Sequence, residues 1–232
     1  MIQSPLLQAP LFAVGPVVIT AMVAMTWAIM VFLAGGAWLA TRRLRLAPNR
    51  LQAALEVLVV AIDGQIRDTM QADPAPYRAL IGTIFVFVLA ANWSSLIPAA
   101  ESPTAHLETD AALALIVFAA TVFFGIRVRG VGGYLRGFAE PTWVMVPLNI
   151  IEQITRTFAL IVRLFGNVMS GAFVIAVVLS LAGLLVPIPL MALDLLTGAV
   201  QAYIFAVLAT VFIGGAAGTA TKAPSPKKEP AS

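Results

Sequence analysis

Arg163 puts a permanent cation into the most apolar part of the chain. In RLFGNVMSG, residues 163–171, the arginine is followed by thirty uncharged residues before Asp194. A charge inside a membrane costs about 2.5 kcal/mol or more, so such residues line a water path or pair with another charge. Asn149, Glu152 and Arg156 precede Arg163, and Asn167 and Ser170 follow it. At about 100° per residue all six share one helical stripe roughly 60° wide. Glu152 and Arg156 are four apart in the order that favours an ion pair. Arg163 has no such partner; the nearest acid on its own helix, Glu152, is about 16 Å away along the axis. A second apolar segment carries Asp194, Thr197 and Gln201. Asp194 and Gln201, seven apart, lie about 20° apart on a helix. Four readings fit these residues. Arg163 meets a mobile carboxylate on an ion path, or pairs permanently with Asp194 across two helices, or snorkels to the interface, or binds an anionic substrate in a transporter. The last class favours internal repeats, and the chain has none.

Other chemistry is poorly supplied. There is no cysteine, and His106 is the single histidine, so thiolate and multi-histidine metal centres are excluded. No phosphate-binding loop or nucleophile elbow occurs, and nothing calls for a cofactor. The net charge of +3 and pI near 9.7 come from arginines beside apolar runs, which needs no nucleic-acid partner.

The elements that must position these residues are membrane helices. Of 232 residues 60% are hydrophobic and 11% charged, against about 25% charged in soluble domains. Residues 1–41, 79–100 and 195–221 contain no charge, and each can supply the ~20 apolar residues of a span. The sequence predicts an all-α integral membrane protein, one domain over 1–222. Its spans are expected at about 14–40, 77–97, 109–126, 143–185 and 188–216. The N-terminus lacks the basic region of a cleaved signal. Residues 49–70 alternate Leu51, Ala54, Leu55, Leu58, Val59, Ile62 and Ile66 with a face of Gln52, Glu56, Asp63 and Arg67. That pattern predicts an amphipathic helix on the cytoplasmic surface. DPAP at 73–76 should end it. The basic stretches TRRLRLAPNR and RVRGVGGYLRG and the tail 223–232 all fall on one side. The positive-inside rule makes that side cytoplasmic and the N-terminus external. Residues 143–185 would form a helix about 60 Å long, twice the hydrocarbon core. A steeply tilted hairpin with the last helix is expected, broken near Pro187 and Pro189.

Three segments together resemble subunit a of F-type ATP synthases, over about residues 77–216. IIEQITRTFALIVRLFGNVMSG resembles the segment with that family's essential arginine. LDLLTGAVQAYIFAVLATVF resembles its last helix, with a Gln-Ala-aromatic pattern. ANWSSLIPAAESPT followed by AALALIVF resembles its Asn-x-x-x-x-Ile-Pro span and the next helix. The resemblance implies a stator that carries protons or Na⁺ through two half-channels to and from the carboxylates of a c-subunit ring. It implies that Arg163 faces the ring, with Gln201 beside it. Asp194 and Asn92 would lie on the outer path, and Glu152 and Asn149 near the inner one, with Arg156, Asn167 and Ser170 in the same stripe. The implied partners are the c-ring, peripheral-stalk b subunits, the rest of the F0F1 complex and the lipid of a bacterial plasma membrane. No bond-making chemistry falls to this chain. It departs from the pattern in three places. Ala172 stands where some relatives have an acid, Ser95 where some have an aspartate, and Arg156 precedes Thr157 rather than proline. His106, Glu108 and Asp110, in the outer loop, are candidates to compensate, together with Ser95.

Overall fold

The computed structural model describes residues 10–14, 17–42, 50–96, 102–139, 143–182 and 186–218. The tail, most of the first arginine cluster and residues 183–185 lie outside the described residues. Six α-helices carry the fold: α1 (Ala21–Thr41), α2 (Arg50–Met70), α3 (Ala75–Trp93), α4 (Leu107–Ala139), α5 (Met145–Ala182) and α6 (Pro187–Ala217). Five of them, all but α2, are long and apolar enough to cross a membrane. The sequence places the first span from about 14, but α1 starts at Ala21. Ahead of it, β1 (Pro10–Val14) and β2 (Val17–Thr20) pair as an antiparallel hairpin. The run Val17-Val18-Ile19-Thr20 is wholly β-branched, which favours strand over helix.

The other boundaries follow local chemistry. After α2, the Asp73 carboxylate accepts the Ala75 N–H at 3.2 Å as α3 begins. α6 opens with proline in its first turn, where the missing N–H is no loss. The third span runs past its expected end near 126 into the basic stretch, and the chain turns at Gly130 (φ 73°, ψ 164°). Only glycine adopts that backbone region readily. The turn folds the Tyr134 ring back against Gly125.

α6 is the central element, packed on α2, α3, α4 and α5. One apolar cluster joins Ile84 and Val88 of α3, Leu113 and Val117 of α4, Leu160 and Leu164 of α5, and Phe205 of α6. A second joins Ile66 and Met70 of α2 to Tyr77, Phe124 and Ile213. The amphipathic helix therefore docks through its C-terminal half. Val57, Val59 and Val60 in its first half stay exposed. Arg78 of α3 makes a bidentate pair with Asp63, and the Tyr203 hydroxyl of α6 donates to Gln65 at 2.7 Å.

Candidate ion-path site

On α5, Leu160, Leu164 and Val168 are buried, while Glu152, Arg156, Arg163 and Ser170 are exposed. Asn149 and Asn167 are half-buried. The polar stripe thus runs along the edge of the packed face rather than into the core. Arg156 pairs with Glu152, as their spacing predicts, and its guanidinium lies 5.4 Å from the Phe212 ring of α6. Glu152, Thr155, Arg156 and Ala159 line an open groove on this edge. Asn149 donates to the Phe138 carbonyl at 2.9 Å, tying the start of α5 to the segment after the Gly130 turn. The Ser170 hydroxyl donates to the Asn167 carbonyl.

Arg163 makes no ion pair or hydrogen bond among the described residues. Its neighbours on the exposed edge are small. Ala159 and Ser170 are exposed, and a Cβ on Gly166 would meet nothing within 4 Å. Small residues let a second helix approach closely.

Asp194 does not reach Arg163. Its carboxylate lies on the α5 backbone at Gly171, where an added Cβ would collide with the carboxylate oxygen. Gly171 is eight residues past Arg163, about 12 Å further along the axis. The missing side chain at Gly171 leaves room for the Asp194 carboxylate against α5, and Ala172 is the next residue.

Gln201 is buried, and its Nε2 has no hydrogen-bond acceptor among the described residues. One turn before it, the Gly198 carbonyl accepts from Asn92 Nδ2 at 2.9 Å. Asn92 thus bridges α3 and α6 midway between Asp194 and Gln201. Trp93 Nε1 donates to the Leu195 carbonyl at 3.2 Å in the same seam. Ser95 donates back to the Asn92 carbonyl at 2.8 Å. His106 and Glu108 sit at the start of α4, half-buried and exposed respectively. Asp110 differs from both, being wholly buried with neither carboxyl oxygen partnered among the described residues.

Two buried residues escape a reading of the sequence. Ser102 caps, and Thr104 belongs to, a short 3-10 turn (Pro103–Ala105) that packs against α1, α3, α4 and α5. Thr104 donates to Asn92 Oδ1 at 2.7 Å. Their Ser-Pro-Thr context signals only a turn.

The ATP synthase A chain family matches residues 22–214. ATP synthase subunit a 2 of Bradyrhizobium sp. (strain BTAi1) is 54% identical over 96% of this chain and 100% of its own length. ATP synthase subunit a of Albidiferax ferrireducens is 48% identical over 91% of each chain. ATP synthase subunit a 1 of Chlorobaculum parvum is 48% identical over 86% of this chain and 89% of its own. With the match spanning nearly all six helices and every residue of the polar stripe, the chain belongs to the ATP synthase subunit a family.

Proposed function

We propose that this chain is the ion-conducting stator subunit in the membrane sector of an F-type ATP synthase. The observation that carries the proposal is an exposed Arg163, without a partner among the described residues, on a small-residue edge of α5, with the Asp194 carboxylate lying at Gly171 instead. A fixed partner would neutralise the guanidinium. A rotor carboxylate that arrives and leaves needs it unpaired. A protonated rotor carboxyl is neutral and tolerates lipid, whereas an ionised one does not. Beside Arg163 the cation favours the ionised form, so the ion leaves there. The same cation keeps ions from passing directly between the two half-channels. The Glu152–Arg156 groove, with Asn149, serves the inner path; Asp194, Asn92 and Gln201 serve the outer one. Asn167 and Ser170 extend the polar edge around Arg163. His106, Glu108, Asp110 and Ser95 are the outer candidates. The chain performs no bond-making chemistry and works with a c-subunit ring, b subunits and the rest of the complex. It sits in a bacterial plasma membrane with the N-terminus outside and the C-terminus in the cytoplasm.

Arg163→Ala is expected to abolish ion-driven ATP synthesis in vesicles while the complex still assembles. Arg163→Lys should fail similarly, because an ammonium lacks the planar fork. Synthesis at the normal rate in the alanine variant would overturn the proposal. A purely structural Arg163–Asp194 pair instead predicts that the charge-swapped double variant works.

A further inference from the structure

Two arginines share the exposed edge of α5, and they are held very differently. Arg156 and Arg163 are seven residues apart, about 20° in angle and about 10 Å along the axis. Both are exposed. To an ionised carboxylate the two guanidiniums are chemically alike. The length of α5 brings both into range of one moving group. Its 38 residues span about 57 Å, against a hydrocarbon core of about 30 Å. Fitting that length into the core takes a tilt of roughly 60°. On such a helix about 9 Å of the separation between the arginines lies in the membrane plane, and only about 5 Å in depth. A rotor carboxylate moves in that plane, so its path runs past both cations.

The contacts separate them. Glu152, one turn back, pairs with Arg156. The Phe212 ring of α6 lies 5.4 Å from the same guanidinium, within the range of a cation–π contact. Phe212 is itself anchored, packed against the apolar cluster that holds Leu160, Leu164 and Phe205. The carboxylate cancels the Arg156 charge, and the ring draws the guanidinium toward α6. Arg163 has neither kind of partner among the described residues.

We propose that Glu152 and Phe212 together withhold Arg156 from the rotor, so that a passing carboxylate meets Arg163 as the open cation of this edge. Phe212 is a positioning residue, acting through Arg156 rather than on the ion. The inference rests on the stator assignment and refines the part that the Glu152–Arg156 pair plays in it. An open Arg156 adds a second cationic resting place about 10 Å from the first. An ionised carboxylate held there must be pulled away before the ring can step on.

The test uses the assembled complex in inverted vesicles, with ion-driven ATP synthesis normalised to the amount of complex. Glu152→Gln leaves Arg156 without its carboxylate and should lower the rate about fivefold, the scale of one partly exposed ion pair. Adding Arg156→Gln should raise the rate again, to within about twofold of Arg156→Gln alone. A Glu152 that only relays ions along the inner path predicts no such recovery. Phe212→Leu keeps an apolar side chain and removes the ring. A loss of about threefold is expected there, reversed by Arg156→Gln and absent in Phe212→Tyr, which keeps the aromatic face. A packing defect at Phe212 persists whatever stands at 156. This second arm decides the matter where Glu152→Gln fails to assemble. A normal rate in either assembled variant, or no recovery on adding Arg156→Gln, overturns the inference. Arg163→Ala, run in parallel, separates the two ideas. If it retains coupled synthesis, the stator assignment falls; if it does not, and the Arg156→Gln double variants fail to recover, only the withholding of Arg156 falls.

Discussion

Gly171 and Asp194 act as one unit. A Cβ at residue 171 occupies the volume of the Asp194 carboxylate, so Gly171→Ala must displace the acid even though it changes no charge. The expected outcome is an ion-driven synthesis rate reduced several-fold, with the same defect in Asp194→Asn and no further loss in the double variant. Non-additivity of this kind marks residues that share one contact. Rates measured in inverted vesicles from the three variants check it, and independent, multiplying defects would separate the pair. Little of this was legible beforehand. The residue types of the stripe, and the pairing of Glu152 with Arg156, follow from spacing within one helix. The docking of Asp194 depends on how α6 lies against α5, a relation between distant segments that periodicity does not encode. The same holds for Thr104 and Asn92, twelve residues apart with a turn between them.

At the level of elements, prolines and charge placed most helix ends, because both act locally. Pro74 and Pro76 separate α2 from α3, and Pro187 opens α6. Two features escaped. Within the uncharged run 1–41 hydrophobicity alone does not separate a strand from a helix, so the hairpin at 10–20 read as the start of a span. The sequence ends the third span near 126, whereas the helix continues past a single turn at Gly130 to Ala139. That turn makes a prediction. Gly130→Ala forces a side chain into φ 73°, ψ 164°, at a cost of about 1–3 kcal/mol. The Asn149–Phe138 bond depends on the segment after the turn, so the start of α5 should loosen with it. A lower midpoint of thermal aggregation for the detergent-solubilised complex is expected, together with faster hydrogen exchange at residues 143–150. An unchanged midpoint would mean that the segment carries no load.

Across the whole molecule, α5 leaves most of its length exposed, with only Leu160, Leu164 and Val168 buried among its described apolar residues, whereas α6 buries Ala202, Phe205, Ala206, Ala209 and Ile213 in the bundle and exposes Leu193, Leu196, Val200 and Tyr203 on its other side. A cysteine at Ser170 or Ala159 is therefore expected to form a disulfide with a cysteine placed near the rotor carboxyl. One at Ala202 or Ala209, both fully buried, should not. The yield of cross-linked product on gels distinguishes the two faces, and equal yields would dissolve the distinction. The unequal covering also has a mechanical consequence. Under the proposed stator assignment, a rotor pressing on the exposed edge of α5 would meet a bearing surface one helix wide. The reaction passes through Leu160 and Leu164 into α6, and from there is shared among α2, α3 and α4. α2, clamped by Asp63 to α3 and by Gln65 to α6, then works as a brace against sideways thrust.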